Sequence, residues 1–316
     1  MARYLITGIA GFIGSSLAHE LVNQGHDVSG FDNLSTGNLE NLTDIRSSVN
    51  FQEMDLQDKD GVREACKGID YILHQGALAS VPRSVKDPLT SHESNINGTL
   101  NLLLAAKDAG VRRIVYAASS SAYGDQPIQP KREDMLPMPL SPYAVQKLTC
   151  EYYIQTFNRV YGLQGVCTRY FNIFGPRQAA DSPYSGVIAQ FIHKMMAGET
   201  PTIFGDGSTS RDFTYVDNAV NANLLACVAP DEVATGRVFN IGTGKSQTLN
   251  DVYAGIAKIL GFSGKPIYGP PRQGDIQHSL ASIDRARNEL GYKPKDDFYE
   301  GLEKTVAWYI SQAPAR

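Results

Sequence analysis

Three glycines, Gly8, Gly11 and Gly14, span the junction between the apolar run Tyr4–Thr7 and a helical stretch that starts at Phe12. Few folds place missing side chains at that spacing between a strand and a helix. Without Cβ atoms the backbone can turn tightly and approach a pyrophosphate, while the first helical turn offers N–H donors and positive potential. The same trio would also serve a plain tight turn. A carboxylate further on favours the dinucleotide reading: Asp32 closes the second apolar run, Asp27–Phe31. There it can accept both ribose hydroxyls of NAD and would repel the 2′-phosphate of NADP. No arginine follows at once, so NAD is the expected cofactor.

The pattern beyond the glycines agrees. Runs at Tyr4–Thr7, Asp27–Phe31, Asn50–Met54, Tyr71–His74, Arg113–Ala117 and Val166–Tyr170 read as strands, several apolar on both faces. Between them Phe12–Gln24, Lys59–Cys66, Leu89–Ala109 and Tyr143–Tyr161 carry apolar residues at helical spacing. This alternation predicts an α/β, Rossmann-type, doubly wound parallel sheet covered on both faces. After about residue 175 glycine and proline become frequent and the strands shorten, at Thr202–Phe204, Asp212–Val216, Val238–Ile241 and Pro266–Tyr268. Helices are expected at Val187–Ala197, Asp217–Val228, Leu249–Leu260 and Leu302–Ile310. Residues 1–175 are therefore expected to form a nucleotide-binding domain and residues 176–316 a smaller α/β domain, with Val238–Ile241 able to return to the large sheet.

Composition narrows the function classes. The chain has 316 residues, 42% hydrophobic and 20% charged, which excludes global disorder. Its 29 basic and 33 acidic residues leave a net charge of −4, unlike the basic footprint of a nucleic-acid binder. No apolar run reaches the roughly 18 residues of a membrane span. The amino terminus shows no signal-peptide layout, and Cys66, Cys150, Cys167 and Cys227 are scattered. A cytoplasmic protein without a metal site is expected.

Residues with chemistry gather after the predicted strands. Asp55 follows the third and suits either an adenine amino group or a strand-end turn. Gln75-Gly76-Ala77-Leu78-Ala79 follows the fourth and is small enough for a ligand to approach. Ala118-Ser119-Ser120-Ser121-Ala122-Tyr123-Gly124 follows the fifth and offers hydroxyls at the same edge. Tyr143 and Lys147 are spaced to share a helix face, where an ammonium beside a phenol favours phenolate. Such pairs are common on solvated helices, but downstream of a nucleotide site this one is a candidate general base.

Together Gly8-x-x-Gly11-x-x-Gly14, Asp32-Asn33, Asn95-x-Asn97-Gly98-Thr99, the serine–Tyr–Gly stretch, Tyr143-x-x-x-Lys147 and Arg169-Tyr170-Phe171-Asn172 resemble the extended short-chain dehydrogenase/reductase family. Gly205-Asp206-Gly207, Arg211-Asp212-Phe213 and Arg272-x-Gly274-Asp275 extend the likeness to the nucleotide-sugar 4-epimerases. Ala79–Ser84 and His278–Ala281 are similar to the UDP-N-acetylglucosamine 4-epimerase branch. The resemblance implies a tightly held NAD, with Tyr143 as base, Lys147 lowering its pKa and binding the nicotinamide ribose, and Ser119 or its neighbour Ser120 bridging the sugar. It implies an NAD shell of Phe12, Ile13, Asp32, Asn33, Ser35, Thr36, Gly37, Asp55, Leu56, Gln75, Ala77, Ala79, Asn95, Tyr143, Lys147 and Tyr170, beside the three glycines. It implies a UDP shell of Asn172, Val187, Thr202, Phe204, Arg211, Arg272 and Asp275. Arginines suit a diphosphate. Val187 departs from the asparagine that many UDP-galactose epimerases carry. Ser279 stands where a bulky tyrosine restricts related enzymes to plain hexoses, so N-acetylated UDP-hexoses are expected, with plain ones as secondary substrates. A homodimer through the helices Leu89–Ala109 and Tyr143–Tyr161 is implied as well.

Other activities of the same superfamily are disfavoured by single residues. The resembling 4,6-dehydratases carry Asp-Glu where this chain has Ser120-Ser121, and decarboxylating UDP-glucuronate enzymes carry a glutamate there. A UDP-glucuronate 4-epimerase, needing only a carboxylate pocket, stays open. Non-catalytic NAD-sensing or RNA-associated members typically lose the Tyr–Lys pair that this chain retains.

Overall fold

The computed structural model describes residues 1–180, 186–271 and 276–313. In chain order the first half runs β1 (Arg3–Thr7), α1 (Phe12–Asn23), β2 (Asp27–Asp32), β3 (Val49–Glu53), α2 (Lys59–Ala65), β4 (Tyr71–His74), α3 (Val81–Lys86), α4 (Pro88–His92), α5 (Gly98–Asp108), β5 (Arg113–Ser119), α6 (Pro142–Tyr161) and β6 (Gln164–Tyr170). The second half runs β7 (Ile173–Phe174), α7 (Val187–Met196), β8 (Thr202–Phe204), β9 (Ser210–Arg211), β10 (Thr214–Tyr215), α8 (Val216–Val228), α9 (Asp231–Ala234), β11 (Val238–Ile241), β12 (Gln247–Thr248), α10 (Leu249–Leu260), β13 (Ile267–Gly269), β14 (His278–Ser279), α11 (Asp284–Leu290) and α12 (Phe298–Gln312).

Seven parallel strands form the central sheet in the order β11-β6-β5-β4-β1-β2-β3. The order in which strands are laid down reverses between β1 and β4, and a ligand crevice belongs outside the carboxyl ends of strands at such a point. Both strands are apolar on both faces because helices cover them: Tyr4 to Thr7 and Tyr71 to His74 are all buried. Val238–Ile241 does join the large sheet, its register placing Asn240 opposite Arg169. One apolar cluster runs from Ile6, Leu17 and Val115 through Phe174, Phe239 and Ile256 to Leu302. The other face packs Leu5, Ile72 and Ile114 against α5 and α6 through Leu102, Leu103 and Ile154.

Two local expectations need correction, and three short elements were not anticipated. Leu89–Ala109 is not one α-helix: a π turn at Glu93–Asn97 separates α4 from α5. The side chain of Asn95 within it accepts from the Leu78 N–H at 2.8 Å and donates to Gln146 Oε1 at 2.8 Å. Asp212–Val216 is not one strand but the loop between β9 and β10, β10 itself and the first residue of α8. The buried Asp212 carboxylate draws the chain inward by accepting the N–H groups of Thr243 and Gly244 at 2.8 and 2.9 Å. The 3-10 segment Leu39–Ser48 and the short helices α3 and α11 carry too few apolar repeats to show as periodicity.

Candidate active site

A cleft of about 1310 Å³ opens along the carboxyl edge of the sheet, centred on the reversal between β1 and β4. At its floor Gly8 has φ +68°, and a Cβ there would meet the Gly76 backbone at 2.8 Å. A Cβ on Gly14 would sit 2.0 Å from the Gly8 carbonyl oxygen. Two turns thus touch through glycine alone. Gly11 caps α1 without a side-chain bond, and no acidic residue occupies the first turn, so the Phe12–Gly14 end faces the cleft as an anion cradle. That geometry fits a dinucleotide pyrophosphate.

Asp32 lies along the same wall, 8% exposed. Its carboxylate accepts the Ala10 and Leu34 N–H groups at 3.1 and 2.9 Å, while burial pushes its pKa upward against those bonds. Each oxygen keeps capacity for a further donor such as a ribose hydroxyl. Asn33, Ser35, Thr36, Asp55 and Leu56 complete this end. Asp55 does turn work too: it accepts the Gln57 N–H at 2.8 Å and the Asn33 amide at 2.5 Å. Ala77, Ala79 and Gln75 line the opposite wall. There the Tyr170 hydroxyl donates to Gln75 at 3.3 Å and accepts from Asn223 at 2.7 Å.

Two residues expected in the cofactor shell are not on the cleft surface. Asn95 is buried behind it, its side chain spent on Leu78 and Gln146. Gly37 stands behind Asp32, where a Cβ would collide with the carboxylate at 2.8 Å. Both shape the wall without forming it.

At the other end β5 delivers Ser119 and α6 delivers Tyr143 and Lys147. Ser119 caps the 3-10 turn Ser120–Tyr123, accepting the Ser121 N–H and hydroxyl at 3.2 and 2.8 Å. Its hydroxyl shares the cleft with the Tyr143 phenol. Ser120 lines the cleft beside it. Burial pushes the Tyr143 pKa upward, and the neighbouring Ser119 side chain pulls it down. Lys147 donates to the Ala117 carbonyl at 2.9 Å and lies over the Tyr116 ring at 4.9 Å, and its own pKa falls to about 8 through burial.

Beyond Tyr143 the cleft is lined by Asn172, Arg211 and Ser279. Asn172 takes φ +38°, unusual for a side-chain-bearing residue, and donates to the Asp212 carbonyl at 3.3 Å. Asn172 and Arg211 also line an adjoining cavity of about 250 Å³, which holds Val187, Thr202 and Phe204. Arg272 and Asp275 lie outside the described residues. Lys131, Arg177 and Trp308 line the cleft too, and nothing in their sequence spacing announces it. Among the described residues no group of histidine, cysteine and carboxylate side chains is arranged to hold a metal.

Comparison with known proteins agrees with this geometry. Residues 4–242 match the NAD dependent epimerase/dehydratase family. A UDP-glucose 4-epimerase of Mycolicibacterium smegmatis is 39% identical over 98% of this chain and 99% of its own length. The structure of a UDP-N-acetylglucosamine 4-epimerase from Methanobrevibacter ruminantium M1, in complex with UDP-N-acetylmuramic acid, superimposes with a TM-score of 0.94 at 40% identity, covering 99% of both chains. A Thermus thermophilus UDP-glucose 4-epimerase solved with NAD gives 0.89 at 35% identity, covering 98% of this chain and all of that one (100%). The chain belongs to the NAD dependent epimerase/dehydratase family.

Proposed function

We propose that the protein is an NAD-dependent UDP-hexose 4-epimerase acting on UDP-N-acetylglucosamine and UDP-N-acetylgalactosamine, with plain UDP-hexoses as secondary substrates. The observation that carries this reading is the meeting of Ser119, Tyr143 and Lys147 on one cleft, between a glycine cradle and the Arg211-lined cavity. The cradle of Gly8, Gly11 and Gly14 with Asp32 would hold NAD, which when bound supplies a reversible hydride acceptor for sugar carbon 4. Tyr143 takes the 4-hydroxyl proton and later returns it, and with the hydride also returned to carbon 4 no net redox change would remain. Ser119, beside the phenol in the cleft, bridges it to the sugar hydroxyl and favours the phenolate. Lys147 is held at one corner by Ala117 and keeps two N–H donors for the cofactor ribose. Turning the 4-keto sugar over within the cleft presents its other face.

Residues 1–175 serve the cofactor in this reading and residues 176–316 the nucleotide sugar. The 250 Å³ cavity suits the uracil and ribose, with Arg211 facing the diphosphate. The open space at Ser279 admits a 2-acetamido group. The two helical regions expected at an interface expose Leu89, Leu104, Val145 and Tyr152, which a second copy would cover as a homodimer. No helix among the described residues is long and apolar enough to cross a membrane, in keeping with a cytoplasmic enzyme.

Separate incubation of the purified protein with UDP-N-acetylglucosamine, UDP-glucose and UDP-glucuronate, without added cofactor, tests the reading. NMR should show the C4 epimer forming fastest from the acetylated sugar. Turnover of UDP-glucuronate alone would overturn the substrate assignment.

A further inference from the structure

The first turn of α6 contains a contact that the proposed chemistry has not used. A helix leaves its leading N–H groups without internal partners. In α6 the first of these positions is Pro142, which has no N–H, and Ser141 caps the third by accepting from Ala144 at 3.1 Å. The next amide, Val145, bonds back to the Ser141 carbonyl at 3.0 Å. That leaves the Tyr143 amide, and its acceptor comes from outside the helix. Tyr143 N–H donates to Ser84 Oγ at 3.0 Å, and Ser84 Oγ donates in turn to the Val81 carbonyl at 2.8 Å. Ser84 is fully buried in α3, the helix whose Val81 lines the cleft.

We infer that Ser84 is a positioning residue, fixing the Tyr143 main chain against α3 so that the phenol meets Ser119. The inference rests on the proposed role of Tyr143. Ser141 alone would suffice to cap a helix, whereas the Ser84 bond ties the one residue whose phenol must be placed. The turn is then held on two sides, by Ser84 at Tyr143 and by the Lys147 bond to Ala117 on β5. Gln146 adds a third tie, accepting from the Ser91 hydroxyl at 2.7 Å and from Asn95 at 2.8 Å. Losing the Ser84 oxygen frees the leading turn to shift by a fraction of an ångström. At a reacting centre, misplacement on that scale is enough for about a tenfold loss of rate.

The test is a double-mutant cycle on the purified protein with its own NAD, combining Ser84→Ala with Tyr143→Phe. Ser84→Ala alone should lower kcat by about tenfold while KM for the UDP-sugar and bound NAD per chain stay near wild type. In the Tyr143→Phe background the same change should cost nothing further, because the group being positioned is gone. Ser84→Cys, which keeps a weak acceptor in nearly the same volume, should recover part of the rate. Equal losses in both backgrounds, or no loss in either, would overturn the positioning role while leaving the epimerase reading intact. A wild-type protein that converts none of the UDP-sugars would overturn both.

Discussion

The Lys147 ammonium donates to the Ala117 carbonyl at 2.9 Å, which fixes the proposed catalytic helix to the edge of β5. A cation in that buried position is costly, which is why its pKa falls to about 8. Lys147→Met, close in volume, removes the charge and the donors together. Turnover should fall by roughly a hundredfold or more. Bound NAD per chain, read after gel filtration, should fall with it, whereas the thermal midpoint should not drop, since a buried ammonium has been removed. Unchanged rate and NAD content would take Lys147 out of the site.

Tyr143→Phe keeps the ring and loses the proton carrier. Because Tyr143 reaches the cleft beside Ser119 and not at the glycine cradle, NAD should stay bound while kcat drops by roughly a hundredfold or more. Near wild-type turnover would remove the phenol from its role.

Cofactor choice is assigned to Asp32, whose carboxylate already takes two backbone N–H groups on the cleft wall and is backed by Gly37, where a Cβ would collide with it. Asp32→Ser with an arginine introduced at Asn33 should weaken NAD and admit NADP, since charge-assisted bonds to ribose and the repulsion of a 2′-phosphate disappear together. Unaltered preference in a reconstitution assay would leave Asp32 as a turn residue.

His74 makes a pH prediction. Its Nδ1 lies 2.7 Å from Thr7 Oγ1 and its Nε2 2.9 Å from Thr99 Oγ1, and the Thr99 hydroxyl donates onward to the Asn95 carbonyl. The Gly76 N–H donates to Thr7 Oγ1 at 3.0 Å, so the chain of donors is complete with a neutral ring protonated at Nε2. Burial, with Lys147 nearby, holds its pKa down at about 3. The folded state therefore binds fewer protons here than the unfolded chain between pH 6.5 and about 3, and stability falls as pH drops through that window. His74→Asn should flatten the pH dependence of chemical denaturation between pH 6.5 and 4.5 by up to about 1.4 kcal/mol per pH unit. An unchanged slope would contradict a neutral buried ring.

Ser279 carries the substrate prediction. Ser279→Tyr should abolish conversion of UDP-N-acetylglucosamine by overpacking the sugar end of the cleft, while sparing UDP-glucose with its smaller 2-hydroxyl. Equal losses on both substrates, or none on either, would refute the gate.

Most of the sheet was legible because its signals are local. Glycine spacing marked the β1–α1 turn, and continuous apolar runs marked strands buried on both faces. Boundaries slipped where a side chain bonds across the fold. Asp212 draws in Thr243 and Gly244 from a distant loop, and Asn95 within the π turn reaches Leu78 and Gln146. The site divides the same way. Residues following strands, such as Ser119 and Asp32, could be placed on the ligand edge from order alone. The direction of Lys147 and the contact of Ser84 depend on how α6 lies against β5 and α3, which no periodicity encodes.

The central claim is that carbon 4 of a UDP-hexose gives up its hydrogen within the site and receives the same one back. UDP-N-acetylglucosamine deuterated at C4, incubated with the purified protein and no added cofactor, tests this most directly. The account predicts UDP-N-acetylgalactosamine that keeps the deuterium at C4. An epimer with that deuterium exchanged for solvent hydrogen, or no epimer at all, would contradict it.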